Sequence, residues 1–139
     1  MSTKFQISIQ LPKKEQGFHL ITDEIMQQLT SLPEHGIMHV FIKHTSAGLT
    51  LNENACPDVR VDFHHYIQKL VPESSSDYLH TDEGDDDMPA HIKASLIGHS
   101  VSIPIANHSL SLGIWQGIYL GEFRKHAGAR QLIISIIEL

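Results

Sequence analysis

The sequence predicts one α+β domain over residues 1–139, with largely antiparallel or mixed β-sheet layers and about three helices. Three observations carry that prediction. In several segments apolar and polar residues alternate with the two-residue period of a half-buried strand. The plainest is Lys4–Leu11, where Phe5, Ile7, Ile9 and Leu11 face one way and Gln6, Ser8 and Gln10 the other. Elsewhere apolar residues recur at helical spacing, as in Val59, Phe63, Tyr66, Ile67 and Leu70. The order of segments, one strand, one helix, two strands, two helices and four strands, lacks the strict alternation that builds a parallel sheet.

Each element has a local cause. Gly17 breaks the first alternation, and Thr22 or Asp23 is placed to cap a helix. The stripe of that helix is Ile25, Met26, Leu29 and Leu32, and it stops ahead of Pro33 and Gly36. Residues 37–43 are rich in β-formers, and Thr45-Ser46-Ala47-Gly48 makes a tight connection to a second strand at 49–51. Pro57 opens a helix at 58–70, and Pro89 lies in the first turn of another at 89–97, which Gly98 stops. The strands at 99–105, 110–112, 118–124 and 130–139 are separated by turn residues and read as antiparallel hairpins. The last is nearly continuously apolar from Leu132 to Ile137, which predicts burial on both faces, by a second sheet layer or by another copy of the chain.

Composition excludes several classes of partner. The net charge is −6 with histidine neutral and there is no basic stripe, so no nucleic acid is expected. No apolar run approaches the ~20 residues of a membrane span, and residues 1–10 hold no apolar leader. The single cysteine, Cys56, excludes an internal disulfide and predicts a cytoplasmic setting. It is expected to be a buried, inert thiol just ahead of the 58–70 helix. Eleven histidines outnumber the ten lysines and arginines, which offers ligands and proton carriers near neutral pH.

The stretch from His80 to Ser95 concentrates this chemistry. Asp82, Glu83, Asp85, Asp86 and Asp87 surround Gly84 and run into the helix, where Asp86 or Asp87 can act as cap. Asp87 and His91 are four apart and share a helix face. Carboxylates and imidazole gathered at a helix start are ligand chemistry for a divalent cation. The same run also reads as a solvated loop. Two carboxylates about 6 Å apart repel by only ~0.7 kcal/mol in water, so the charge density alone demands no metal.

Four strings point to a known family: His44 to Thr50 (His-Thr-Ser-Ala-Gly-Leu-Thr), Asn52-Glu53-Asn54, Glu83-Gly84 with Asp86 to Lys93 (Asp-Asp-Met-Pro-Ala-His-Ile-Lys), and Gly113 to Ile118 (Gly-Ile-Trp-Gln-Gly-Ile) with Glu122-Phe123-Arg124. In type and order they resemble the YjbQ family, over essentially the whole chain. Cys56 and Ala127 stand where Asp and Gly are expected from that pattern. The resemblance implies a YjbQ-like α+β fold, a homotrimer, and a thiamine-phosphate-synthase activity that is secondary or main. That reaction joins a pyrimidine-methyl diphosphate to a thiazole phosphate and releases pyrophosphate. On this reading Glu83, Asp86 and Asp87 hold a divalent cation, Mg²⁺ before Zn²⁺ or Mn²⁺, with His91 as a further ligand or as proton donor to the leaving group. His80, Lys93, Arg124 and His126 are candidate phosphate contacts. His44, Asn52 and Glu53 line the opposite wall, with Trp115 and Gln116 against the substrate ring.

Two other readings stand beside the transferase. One is a metal-dependent hydrolase of a phosphorylated small molecule, with His44 or Glu53 as general base. The other is a non-enzymatic trimeric module that binds a metabolite or a protein.

Overall fold

A computed structural model describes residues 4–139; the part of the N-terminal expectation that falls on residues 1–3 lies outside them. Eight strands and three helices follow in the order β1 (Lys4–Leu11), β2 (Gly17–Leu20), α1 (Thr22–Met26), β3 (His35–Ile42), β4 (Ala47–Glu53), α2 (Pro57–Leu70), α3 (Asp87–Ile97), β5 (Ser100–Ala106), β6 (Ser109–Leu110), β7 (Gln116–Glu122) and β8 (Arg130–Glu138). The strands form a five-stranded sheet, β1-β8-β3-β5-β6, and a three-stranded sheet, β2-β7-β4. Every described pairing is antiparallel.

Three layers result. One face of the large sheet, carrying Leu11, Met38, Val40, Ile42, Ile103, Leu132 and Ile134, packs on Leu49, Ile118 and Leu120 of the small sheet. The other face of the small sheet presents Phe18 and Tyr119, with Phe123 just beyond it, to Ala90 of α3 and to Phe63 and Ile67 of α2. Strand β7 is therefore walled on both sides, and residues 117–122 are all buried. The sequence had placed that double burial at the C-terminal strand. In the protomer β8 buries Leu132, Ile134 and Ile136, while Ile133 and Ile137 remain partly or fully exposed on its outer face.

Other expectations need adjusting. Gly17, φ +136°, is not only a break but the first residue of the short strand β2, which the residue pattern had not shown. Helix α1 ends near Met26, short of Leu29 and Leu32, and the Thr22 hydroxyl accepts the Ile118 N–H instead of capping the helix. Only β5 and β6 form a hairpin among the last four strands; Asn107 and His108, at φ 53° and 61°, make its turn. The connections β3–β4 and β7–β8 are not hairpins, because each carries the chain from one sheet to the other. Local turn chemistry looks the same in both cases. The difference lies in which sheet each strand joins, a long-range matter.

Gly48 sets the approach of α3. A Cβ there would meet the Gly98 carbonyl oxygen at 2.8 Å and the Ile97 side chain at 3.2 Å. The Leu49 N–H donates to that same carbonyl at 3.0 Å, so the backbone cannot yield without losing the bond. Gly48→Ala is expected to destabilise the fold by about 1–3 kcal/mol, read as a lower urea midpoint at unchanged m-value.

Candidate functional site

The end of the small sheet that carries Ala47 and Glu122 meets the start of α3 and the loop before it. Asp86 sits at the N-cap position and Asp87 is the first helical residue. Neither side chain caps the helix. A guanidinium offers a stronger, charge-assisted bond than a backbone N–H. Arg124 takes both carboxylates: Nε donates to Asp86 Oδ2 at 3.0 Å, Nη1 to Asp87 Oδ1, and Nη2 to the Glu83 carbonyl at 3.0 Å. Asp86 Oδ2 also accepts the Lys125 N–H at 2.8 Å.

That leaves Asp87 Oδ2 facing two imidazoles. His80 Nε2 lies 2.6 Å from it and His91 Nε2 3.1 Å. Asp87 is 1% exposed. Burial alone would raise its carboxyl pKa, but the His80 hydrogen bond and the charges of His91 and Arg124 outweigh this and hold it below the ordinary carboxylate range. His91 Nδ1 donates to the Thr45 carbonyl at 2.8 Å. In the neutral ring Nε2 then carries a lone pair pointed at a carboxylate oxygen. Such an arrangement asks for a positive charge between the two atoms, either a proton or a metal ion.

His80, Asp87 and His91 each offer one ligand atom, and those atoms all lie within 4.8 Å of one another. Two imidazole nitrogens and one carboxylate oxygen with open positions suit zinc, manganese or iron better than magnesium, which favours oxygen. The expected ligand set differs in detail. Asp86 is taken up by Arg124 and Lys125, and Glu83 stands with its Oε2 3.8 Å from His80 Nε2. His80 takes their place in the cluster. Spacing could not reveal it, since it is seven residues before Asp87 in an irregular loop.

The remaining candidates divide. His44 follows β3 and borders a cleft of about 470 Å³ together with His91, Ala94 and His99. A second cleft, of about 390 Å³, is bordered by His80, Thr81, Tyr78 and the serines 74–76. The cluster lies between the two clefts. Arg124 commits three of its five N–H donors to Asp86, Asp87 and a carbonyl, which makes it first of all a scaffold for the carboxylates. His126 is exposed and makes no hydrogen bond or ion pair among the described residues.

Lys93 is 1% exposed and donates to Gln68 Oε1 beneath the cluster. Desolvation pulls its pKa down despite the nearby charges of Glu73 and Asp86. It faces the α2–α3 interior, so it does not reach a phosphate in either cleft.

Asn52, Glu53, Trp115 and Gln116 lie at the opposite end of the small sheet. Glu53 pairs with Gln116, six residues along β4 from the Ala47–Glu122 pair. At ~3.3 Å per residue this is about 20 Å. There the Glu53 carboxylate accepts the Ala55 and Cys56 N–H groups, Asn52 Oδ1 accepts the Glu53 N–H, and Gln116 Oε1 accepts the Gly113 N–H. Trp115 is exposed. These residues do not share a pocket with Asp87 in the protomer. Cys56, expected to be buried, is exposed at the N-cap of α2.

The chemistry of Glu122 and Arg130 escaped the sequence reading. Arg130 Nε and Nη2 grip the Glu122 carboxylate at 2.7 and 2.5 Å, and Nη2 also donates to Ser46 Oγ at 3.0 Å. This buried pair ties β7, β8 and the 43–46 turn together directly behind His44 and Thr45. The only signal was two opposite charges eight apart.

Fold and site define a class: a small α+β protein of two antiparallel sheets and a helical layer, with a His–Asp–His cluster backed by a paired arginine. The family model described as UPF0047 protein YjbQ-like matches residues 6–139, and this chain belongs to that family. The UPF0047 protein YjbQ of Salmonella typhimurium is 49% identical over 134 residues, covering 95% of this chain and 96% of that protein. Among solved structures, a YjbQ/UPF0047-family protein of Clostridium acetobutylicum is 39% identical, with 94% of this chain and 99% of that one covered and a TM-score of 0.80. A YbjQ-like protein of unknown function from Sulfolobus solfataricus shares the fold over all of both chains, with a TM-score of 0.85 at 23% identity.

Proposed function

We propose that the protein is a metal-assisted enzyme acting on a phosphorylated small molecule, with a transfer reaction of the thiamine-phosphate-synthase type. One observation carries the metal: three ligand atoms, on His80, Asp87 and His91, converge within 4.8 Å. The transfer reaction follows from the family resemblance. In it the carbon–oxygen bond to the diphosphate breaks, its electron pair leaves with pyrophosphate, and the thiazole nitrogen supplies the pair for the new carbon–nitrogen bond. His80, Asp87 and His91 would hold a zinc or manganese ion, with magnesium as the oxygen-preferring alternative, and that ion would supply the positive charge that the departing group needs. Arg124 holds Asp87 in place, and the Thr45 carbonyl orients His91 so that Nε2 faces inward. Elemental analysis is expected to find about one zinc or manganese per chain. His80→Ala and His91→Ala are each expected to lower turnover by about 100-fold or more. Unchanged rates in both variants would overturn the reading.

A metal-dependent hydrolase is the second reading, and a specific observation favours it. The donor set of two histidines and one carboxylate is that of catalytic zinc sites, and the Arg124 guanidinium beside it is already bound to Asp86 and Asp87. Hydrolysis of simple phosphate esters with no transfer would select this reading. Stabilisation by phosphometabolites without turnover of either kind would select a binding module.

We further propose a homotrimer in the cytoplasm. The outer face of the large sheet exposes Ile37, Phe41 and Ile137 at 36%, 37% and 47%, with Ile137 opposite Ile37 and the half-buried Ile133 opposite Phe41. A second copy of this chain fits so apolar a surface better than water does. Sedimentation at micromolar concentration is expected to give a trimer, and a monomer would count against it.

A further inference from the structure

Three imidazoles border the cleft between the turn after β3 and helix α3, and for two of them, His44 and His91, a backbone bond leaves a different edge free. His91 Nδ1 donates to the Thr45 carbonyl, so its Nε2 faces Asp87. His44 Nε2 lies 2.8 Å from the Gln131 backbone nitrogen. A backbone N–H can only donate, so His44 Nε2 must be the unprotonated acceptor and its proton must sit on Nδ1. Nδ1 has no partner among the described residues. His44 therefore cannot take up a proton at Nε2 without giving up this bond, and what it has left to offer is an N–H.

The surroundings act in the same direction. Burial, the Arg130 guanidinium and the Lys43 ammonium keep the ring neutral to lower pH than usual, against the opposing charge of Glu122. The cleft of about 470 Å³ is bordered by His44, His91, His99, Ala94 and Ser95 among others, and by no lysine, arginine or carboxylate. A phosphate there would find no lysine or arginine in the lining and only imidazoles to offset the cost of its desolvation. A flat or aliphatic uncharged group carries no such cost.

We infer that this cleft receives the uncharged, ring-sized part of the substrate, and that His44 donates its Nδ1–H to an acceptor atom on that part. His44 is then a substrate contact that sets specificity by donating a hydrogen bond, not a general base. The inference rests on the cluster beside it being the reactive centre.

The test is nitrogen NMR on the full-length protein with labelled histidine. Between about pH 7.5 and pH 9, His44 is expected to show a protonated Nδ1 and an unprotonated Nε2. The neutral acceptor 2-pyridone is expected to shift the Nδ1 resonance, and inorganic phosphate is not. His44→Gln can accept from Gln131 and still donate, so it should keep 2-pyridone affinity within about threefold, whereas His44→Phe should lose about tenfold. If His44→Phe fails to fold, the Gln variant and the tautomer decide. An Nε2-protonated or averaging ring, no response to 2-pyridone, or an equal response to phosphate would overturn the inference. Zinc added to the same sample reads His80 and His91 separately. Silence there with the His44 pattern intact would sink the metal reading and leave standing only the His44 tautomer and its contact with a neutral acceptor.

Discussion

Asp87→Asn is expected to abolish stoichiometric zinc binding, slow turnover by about 100-fold or more, and cost about 3 kcal/mol of stability. The substitution keeps the shape of the side chain and removes its charge. Arg124 then retains only Asp86 as a carboxylate partner, and the two imidazoles lose the anion they share. The sign of the pH dependence follows from the same contacts. In the metal-free protein Asp86 and Asp87 have folded-state pKa values held below the ordinary ones: burial pushes them up, but hydrogen bonds and positive neighbours more than reverse it. Their stabilisation is therefore present above the unfolded carboxyl value of about 3.9 and is lost as pH falls through the lower folded values. Urea titrations of the wild type and Asp87→Asn should converge as pH drops below about 4. A gap of constant size down to full acid denaturation would show that the charge at position 87 does not matter.

The second large effect is expected at the buried pair behind the site. Glu122 is fully buried and Arg130 is 6% exposed. Glu122→Gln or Arg130→Met alone leaves an uncompensated partner and should cost about 3–5 kcal/mol. The double variant should recover most of that, because both charges go together and the desolvation penalty goes with them. Chemical denaturation of the four proteins forms the cycle. Strict additivity of the two single losses would show that the pair acts through separate contacts. Since Arg130 Nη2 also holds Ser46, next to Thr45, the single variants should loosen His91 as well.

How much of this could be read from the residues depended on distance along the chain. Helices α2 and α3 were legible because their causes are local: Pro57, the apolar stripe from Val59 to Leu70, and the stop at Gly98, which adopts φ +110°. The Asp87–His91 contact was legible for the same reason, being one helical turn. The split between the two sheets was not. Whether β4 pairs with β3 or with β7 depends on residues some seventy positions away, and the turn between β3 and β4 carries no trace of the choice. The site divided along the same line. His80 joined it through loop geometry, Arg124 through a contact thirty-seven residues distant, and Asn52, Glu53 and Trp115 fell to the far end because a strand's length separates its two ends.

The position of β7 between two hydrophobic clusters has a consequence for how the molecule comes apart. Ile118 and Leu120 belong to one cluster and Tyr119 to the other, so no layer can peel away without stripping a strand that the remaining layers need. Loss of order should therefore be all-or-none, with no half-folded species that keeps helices α2 and α3 on a melted sheet. Amide protons at 118–121 should be the last to trade with solvent, at a rate set by the opening of the entire chain.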